Sequence, residues 1–315
     1  MKVLDVVLAA DPDVAPIASM AAWWARHQAV IAGSGATIDH AILGGFAADR
    51  LGYAFASGYQ AALRQLAPDL PQDRLASLCV TERGGGHPRA IETRITSVNE
   101  GFLVSGSKRW ATLSDVAGVL LVAATLGTPD ERGRPQIRVV RVDGGAPGVQ
   151  ITPMPSTPFT PEILHGEVRL DEVRVTAAAL LPGDGYERYI KPFRTIEDLH
   201  IQGALFGFLL SAARRHGAPR ALLERLAAQL ATLRTLAASD PSDAGVHVAL
   251  AGALRIATPL VTEVEATWAR AGDPSYALWE RDRLLLSVAE SARTKRLERA
   301  WARLAEGGSA PGESE

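Results

Sequence analysis

Two short segments of the sequence carry the side chains best suited to hold a flat or charged ligand. The first, at 79–88, reads CVTERGGGHP, and the second, at 106–112, reads GSKRWAT. Three adjacent glycines allow a backbone to approach a ligand closely, because no Cβ stands in the way. Thr81 and Thr112 offer hydroxyl groups that can donate or accept a hydrogen bond, and Trp110 offers an aromatic surface. Together the two segments predict a binding site.

A second set of reactive side chains lies at 186–200, which reads YERYIKPFRTIEDLH. A helix is predicted to begin at Thr195, with Asp198 three residues later completing a capping box. On that helix Glu197 lies in the first turn, and His200 follows one turn later on the same face. A carboxylate can act as a general base, and a nearby histidine can tune or relay its proton.

Each of these residues also has a purely structural interpretation. Threonines are common in strands, and a tryptophan such as Trp110 can be a core aromatic. Cys79 can be a small buried apolar residue. A glutamate in the first turn of a helix is stabilised by the helix dipole by about 0.3–1 kcal/mol without any catalytic role. His87 and His200 can be satisfied structural histidines. The residues alone leave both interpretations open.

Composition limits the classes of partner and compartment. The 315 residues carry 33 basic and 35 acidic side chains, a formal net charge of −2, which gives no electrostatic reason to expect nucleic acid or an anionic membrane as partner. One cysteine excludes an internal disulfide and favours a reducing compartment, so we expect a cytoplasmic protein.

We expect no signal peptide, since Asp5 interrupts the first apolar run. The apolar stretches at 203–213 and 117–127 are shorter than the roughly 20 residues that span a bilayer. The seven histidines show no paired metal-ligand spacing, so no metal site is expected.

The period of the apolar residues divides the chain into three regions and a tail. Helical spacing predicts an N-terminal helical region over 1–76, and alternation predicts an antiparallel β-barrel or sandwich over 77–182. Helical spacing returns over 195–305, with a helix that begins at Pro219 and further helices at about 244–270 and 275–305. Residues 306–315 are expected to form a disordered tail. The predicted class is α+β: N-terminal helices, a middle antiparallel β-barrel and a C-terminal helical bundle.

The order of helices, barrel and helices, with CVTE, a glycine-rich loop and GSKRWAT, resembles the acyl-CoA dehydrogenase family. Eight positions match the family's motifs: Val80, Thr81, Glu82, Gly86, Gly106, Lys108, Trp110 and Thr112. The resemblance implies that Thr81 and Thr112 hydrogen-bond the isoalloxazine edge of a flavin and that Trp110 packs beside it. It also implies that Cys79 and Gly86 belong to the flavin-binding set. The segment EDLHIQGALFGFLL resembles the family helix that carries the catalytic base, which implies that Glu197 is this base.

The activity implied by the resemblance is α,β-dehydrogenation of an acyl thioester, carried by coenzyme A or a carrier protein, as in fatty acid metabolism. The implied cofactor is FAD, held weakly, or FMN. The implied substrate-binding residues are His87, His200 and the basic side chains of Arg188, Lys191 and Arg194, which could receive phosphates. A solvated basic linker is the alternative for the last three.

The sequence also departs from the family pattern. Arg83 replaces the usual proline and His87-Pro88 replaces serine-aspartate, while Asp198 stands where the family usually has arginine, which inverts a charge near the expected thioester site. The chain shows no Arg…Gln-Phe-Gly segment after Arg214, and its N-terminal region is short for the family. These departures predict weak flavin binding, and they leave a second hypothesis, a degenerate non-catalytic subunit that pairs with a relative. A homo-oligomer or a heteromer is expected in either case.

Overall fold

The computed structural model describes residues 2–307 except 13, 130 and 132, and within them helices flank a seven-stranded sheet along the chain. The helices are α1 (Lys2–Ala9), α2 (Met20–Ile31), α3 (Thr37–Phe46), α4 (Leu51–Leu66), α5 (Lys191–Arg215), α6 (Arg220–Ala237), α7 (Ala244–Ala271), α8 (Tyr276–Asp282), α9 (Leu285–Val288) and α10 (Glu290–Gly307). The strands are β1 (Ala76–Cys79), β2 (Arg94–Val98), β3 (Gly101–Thr112), β4 (Val119–Pro129), β5 (Pro135–Asp143), β6 (Val149–Pro153) and β7 (His165–Val175). This order confirms the predicted α+β class.

The chain divides into two compact units. The helical unit contains the described residues of 1–62, 158–160 and 195–315, and the sheet unit contains those of 63–157 and 161–194. Leu222, Leu226, Leu230 and Leu233 of α6 are buried in the helical unit, as the spacing of the leucines predicts.

The sheet is mixed, whereas the sequence predicted an antiparallel barrel or sandwich. Its strands lie in the order β1-β4-β2-β3-β7-β6, with β5 paired to β4. Strand β4 runs parallel to β1 over Ala76↔Val119 to Cys79↔Val122, and it meets β2 in parallel at Arg94↔Thr125. The other ladders are antiparallel. Alternation along a strand reports which face is buried and carries no information on the direction of the neighbour, so the parallel pairings could not be seen in the sequence.

The side-chain pattern of strand β7 determines which of its faces packs into the core. Val168, Leu170, Val173 and Val175 point into the core, and exposed polar residues alternate with them. The alternation slips by one residue at Glu172, which has a φ of +49° and donates its backbone N–H to Ser105 Oγ at 3.2 Å. A β-bulge of this kind lets both halves of the strand keep their apolar side chains on one face.

Glycines allow close contact between helices of the helical unit. A Cβ on Gly45 of α3 would lie 2.0 Å from the backbone oxygen of Ala204 on α5, and a Cβ on Gly207 of α5 would lie 2.3 Å from the oxygen of Ile42. Both distances are far below van der Waals contact, so any larger residue forces the backbones apart. The crossing of α3 and α5 therefore depends on glycine on each side.

The predicted helix at 275–305 is wrong as a single element, because the structure has three helices there. The first break follows Asp282, which is fully buried and accepts the backbone N–H of Thr160 at 2.7 Å. Helix α7, in contrast, continues through Pro259. The predicted tail at 306–315 overlaps the end of α10 by two residues, and 308–315 lie outside the described residues.

One helix among the described residues, α7, has the length and apolar composition to cross a membrane, with a mean hydropathy of 1.5 over its best window. Of that window, 33% is buried inside the structure. A single helix of this kind is weak evidence for a membrane span, since core helices of soluble proteins meet the same criteria.

Gly45→Ala is expected to lower the free energy of unfolding by about 1–3 kcal/mol, because the added methyl group meets the α5 backbone. Gly252→Ala on α7 is the matched control, since its Cβ would have no neighbour within 4 Å. We expect the control to gain up to about 1 kcal/mol from helix propensity. Chemical denaturation measures both, and equal stability of the two variants would contradict the tight crossing of α3 and α5.

Candidate functional site

A buried ion pair anchors the glycine-rich loop to strand β3. Lys108 Nζ lies 2.5 Å from Glu82 Oε1, and the two side chains are 0% and 7% exposed. Lys108 also donates to the backbone oxygen of Val80 at 3.4 Å. Glu82 follows β1 after Val80 and Thr81, so the pair ties this end of β1 to β3.

The carboxylate of Glu82 is fully hydrogen-bonded. Besides Lys108, its Oε1 accepts the backbone N–H of Thr93 at 3.1 Å and the Thr93 hydroxyl at 2.8 Å, and its Oε2 accepts the N–H of Glu92 at 2.8 Å. Burial acts to raise the pKa of Glu82, but the bond to Lys108, its charge and these donors outweigh burial and hold the pKa below its usual value. The glutamate is therefore ionised, and it fixes the chain at the start of β2.

Backbone hydrogen bonds and glycine conformations shape the glycine-rich loop that Glu82 anchors. The backbone oxygen of Thr81 accepts the N–H of Arg109 at 2.7 Å, and Glu82 and Gly85 exchange backbone hydrogen bonds at 3.0 and 3.1 Å. Gly85 has a φ of +104°, which only glycine adopts without strain. A Cβ on Gly86 would lie 3.4 Å from the Thr81 hydroxyl oxygen. Thr81 is half-buried, so part of the residue is accessible from solvent.

His87 has a local structural role. Its Nδ1 accepts the backbone N–H of Arg89 at 3.2 Å and caps the short 3₁₀ helix Pro88–Ala90. The side chain is exposed. Its suggested contact with substrate remains a prediction.

Trp110 stands out of the sheet at a bulge in β3. The register between β3 and β7 shifts between Lys108 and Ala111, and Trp110 has a φ of +58°. Its side chain is 50% exposed, and its backbone N–H donates to Met154 Sδ at 3.3 Å. Positive φ is costly for a bulky residue and marks positions that the surrounding structure enforces. The exposure of Trp110 argues against the core-aromatic interpretation and favours a ligand contact.

Thr112 lies two residues further along β3 and has a partner that the sequence did not reveal. Its Oγ1 lies 3.3 Å from Nδ1 of His165 on β7, and the two residues are paired in the β3–β7 register. The His165 ring also meets the Trp110 ring edge-on at 5.9 Å. His165 and Thr112 are 53 positions apart, so only the strand pairing brings them together.

Cys79 does not fit the predicted flavin-binding role. It is fully buried in the apolar core of the sheet unit, beside residues such as Leu120 and Val122. Burial raises the pKa of its thiol to about 11, so it is neither accessible nor reactive. The alternative interpretation, a small buried apolar residue, describes it correctly.

The start of α5 differs from the prediction. The helix begins at Lys191, directly after the π-helical turn Tyr186–Ile190, so Thr195 is not a cap and Glu197 is not in a first turn. The hydroxyl of Thr195 instead lies 3.2 Å from His247 Nε2. The helix-dipole interpretation of Glu197 therefore loses its basis, because the dipole effect is confined to the first turn. The side chain of Glu197 is half-buried.

Asp198 forms ion pairs where the sequence predicted a capping box. Its carboxylate accepts Arg293 at 2.7 Å and Arg296 at 2.5 Å, both on α10. Two guanidinium groups compensate its charge, so the expected inversion of charge at a substrate site is absent. The unusual acid at this position is explained by arginines that follow about a hundred residues later.

His200 is a structural histidine. Its Nδ1 lies 2.7 Å from the backbone oxygen of Ile196, and its Nε2 lies 2.9 Å from the hydroxyl of Thr37. Burial lowers its pKa to about 4, so the ring is neutral at pH 7. Both nitrogens are engaged and the side chain is buried, which corrects its assignment to substrate binding.

The basic side chains at the start of α5 and in the turn before it are exposed. Lys191 pairs with Glu187 at 2.7 Å, and the aliphatic part of Arg188 packs over Gly183. Arg194 is exposed as well. This arrangement fits the solvated linker, and phosphate binding remains a prediction. Among the described residues no group of three or more histidine, cysteine or acidic side chains could hold a metal ion.

Lys108→Met is expected to destabilise the protein by about 3–5 kcal/mol, because it leaves the Glu82 carboxylate buried without its counter-charge. The double variant Glu82→Gln/Lys108→Met removes both charges and should recover a large part of the loss. Urea denaturation of the three proteins measures this coupling. A double variant less stable than Lys108→Met alone would contradict the role assigned to the pair.

The sheet unit is similar to a domain of known proteins. Residues 77–173 match the family model described as acyl-CoA dehydrogenase, middle domain. Isobutylamine N-hydroxylase of Streptomyces viridifaciens is 29% identical over 131 residues, which cover 42% of this chain and 33% of that protein. The chain spans between 19% and 33% of the curated relatives it matches.

Solved structures share the fold over nearly the whole chain. Butyryl-CoA dehydrogenase from Megasphaera elsdenii aligns with a TM-score of 0.63 at 15% identity and covers 96% of this chain and 94% of that one. The FAD complex of PigA aligns with a TM-score of 0.66 at 11% identity and covers 91% and 90%. Residues 77–173 are therefore similar to the middle domain of acyl-CoA dehydrogenases, within a fold that butyryl-CoA dehydrogenase shares over nearly the whole chain.

Proposed function

We propose that the protein is a flavin-dependent oxidoreductase that removes two hydrogens from neighbouring carbons of an acyl thioester. The observation that carries the proposal is the exposed ring of Trp110 next to the Thr112 hydroxyl, on a bulge that the Glu82–Lys108 pair anchors. An exposed aromatic and a partly open hydroxyl on one rigid strand are suited to hold a flat, polar ring.

The described residues fit a flavin ring. Thr81 and Thr112 would hydrogen-bond its edge, Trp110 would pack beside it, and Gly86 would keep the loop backbone close. A bound flavin supplies the acceptor for two electrons. We propose FAD, held weakly, or FMN, since the contacts that support binding are to the ring.

Glu197 is proposed as the base that takes the proton from the carbon next to the thioester carbonyl. Two observations support this role. The neighbouring acid, Asp198, is neutralised by arginines, so it does not compete for the proton. Glu197 is half-buried beyond the first turn of α5, where the helix dipole no longer stabilises the ionised form of an acid.

The substrate is proposed to be an acyl thioester of coenzyme A or of a carrier protein. A second candidate is oxidation of an amine nitrogen, which is favoured by the similarity to isobutylamine N-hydroxylase. A non-catalytic role as the partner subunit of a related dehydrogenase is the outcome left if neither substrate class reacts.

We also propose that the helical unit pairs with a second copy or a relative in the cytoplasm. Its surface exposes large apolar side chains, which monomers rarely leave uncovered when they are contiguous. They are Ile256, Leu284, Val288, Trp301 and Leu304.

Flavin binding can be measured by fluorescence titration with riboflavin, FMN and FAD. We expect similar affinities for the three, because the ring provides the contacts. Trp110→Leu should weaken binding about 2–10-fold, the loss of one aromatic contact. Trp301→Leu, an equally exposed tryptophan on α10, is the control and should have no effect. FAD binding far tighter than riboflavin would reveal an adenosine site and contradict the ring-driven account.

Glu197→Gln should lower the rate of flavin reduction by acyl thioesters about 10²–10⁴-fold, because the amide cannot accept the proton. Glu224→Gln, an exposed glutamate on α6, is the control. Thermal unfolding should show that both variants keep their fold. Equal rates in the two variants would contradict the base assignment, and oxidation of an amine but of no thioester would favour the second candidate.

A further inference from the structure

The partner of Thr112 is a titratable side chain. His165 lies half-buried between Trp110, whose ring it meets edge-on, and the Thr112 hydroxyl, 3.3 Å from its Nδ1. The backbone on both sides is fixed, since Met154 donates to the His165 oxygen at 2.9 Å and Leu113 donates to the oxygen of Leu164 at 2.8 Å. The imidazole therefore has little freedom to leave Thr112.

One carboxylate acts on this histidine. Burial lowers the pKa of His165, and the negative charge of Asp115, in the turn after β3, acts in the opposite direction. Burial raises the pKa of Asp115, and its own backbone contacts and His165 oppose that change. The charged neighbours along β3 and β7, Arg109 and Glu167, form their own ion pair at 3.6 Å.

The hydrogen-bond chemistry of a hydroxyl makes this contact directional. A threonine hydroxyl has one proton to donate and two lone pairs that accept. When Nδ1 of His165 carries no proton, the Thr112 hydroxyl donates its hydrogen bond to that nitrogen. Thr112 can then only accept a hydrogen bond from a ligand. When Nδ1 carries a proton, it donates to Thr112, and the Thr112 proton is free to point at a ligand.

We propose that His165 is a positioning residue that switches Thr112 between accepting from and donating to the edge of a bound flavin, according to whether Nδ1 is protonated. The inference rests on the proposed flavin site. The edge of an oxidised isoalloxazine ring carries nitrogen and oxygen acceptors, which need a donor. Affinity for oxidised flavin should therefore rise as the pH falls and His165 becomes charged.

The sign of the pH effect follows from the environment of His165. Its pKa lies below its usual value of about 6.5, so the histidine is neutral at pH 7 and becomes charged only in the more acidic range. The negative charge of Asp115 keeps the pKa of His165 from falling further. Removing the Asp115 charge should move the transition to lower pH. Removing the Thr112 hydroxyl should do the same, because the hydrogen bond that the charged imidazole donates to the hydroxyl is stronger than the one that the neutral ring accepts from it.

The first experiment uses the ligand-free protein. NMR titration of the imidazole, with its resonances assigned by their loss in His165→Phe, gives the pKa and the tautomer. Thr112→Val should lower the His165 pKa by about 0.5–1, the difference between a charge-assisted and a neutral hydrogen bond, and Asp115→Asn should lower it as well. An unchanged pKa in Thr112→Val would overturn the coupling between the two side chains, whatever the protein does with flavin.

The second experiment measures riboflavin affinity between about pH 5 and pH 8, the range in which histidine titrates. Riboflavin has no phosphate that would titrate in the same range. Affinity should rise about 3–10-fold towards low pH, and the rise should be absent in His165→Phe and in Thr112→Val. Binding that is independent of pH would overturn the switch and leave the proposed function intact. Absence of riboflavin binding at every pH would overturn both.

Discussion

The ion pair of Glu82 and Lys108 is the interaction on which the candidate site depends. Removing two charges from water costs several kcal/mol per ion, and that cost is offset only when geometry and hydrogen bonding are complete. Here Lys108 contacts both Glu82 and the Val80 oxygen, and Thr93 and Glu92 donate to the remaining carboxylate positions. A pair satisfied in this way holds the end of β1, the start of β2 and the middle of β3 together.

The flavin contacts that we propose depend on this ion pair within the sheet unit. Thr81 directly precedes Glu82 in the glycine-rich loop. The bulge that exposes Trp110 begins directly after Lys108 in β3. Thr112 then reaches the β3–β7 ladder, where His165 lies opposite. Rigid strands position such groups more accurately than loops do, which is why a costly buried charge pair is useful at this place.

Local sequence pattern predicted the parts of the molecule that depend on neighbours along the chain. Alternation located the long strands, and the Asn99–Gly101 turn joins β2 to β3 as its residues indicate. Local pattern gives no information on contacts between residues that are far apart in the sequence. Asp198 has the spacing of a capping residue in the sequence, whereas its partners, Arg293 and Arg296, lie on the last described helix.

The same limit applies to the site itself. The resemblance pointed to Thr81, Trp110 and Thr112, and it could not indicate that Trp110 is exposed, since exposure depends on a bulge with positive φ. His165 carries no signal in the sequence, because a lone histidine in an alternating strand is ordinary. Cys79 and His200 were assigned to the site from their position near matched motifs, and burial in each case shows a structural role.

The central claim is that the sheet unit presents a surface built for a flavin ring, and the visible absorption spectrum of flavin tests it most directly. On mixing with the purified protein, the flavin bands should shift and sharpen, as expected when the ring leaves water and packs beside Trp110, and Trp110→Leu should reduce that change. A flavin spectrum that stays identical to that of free flavin, at protein concentrations far above those of the cofactor, would contradict the account.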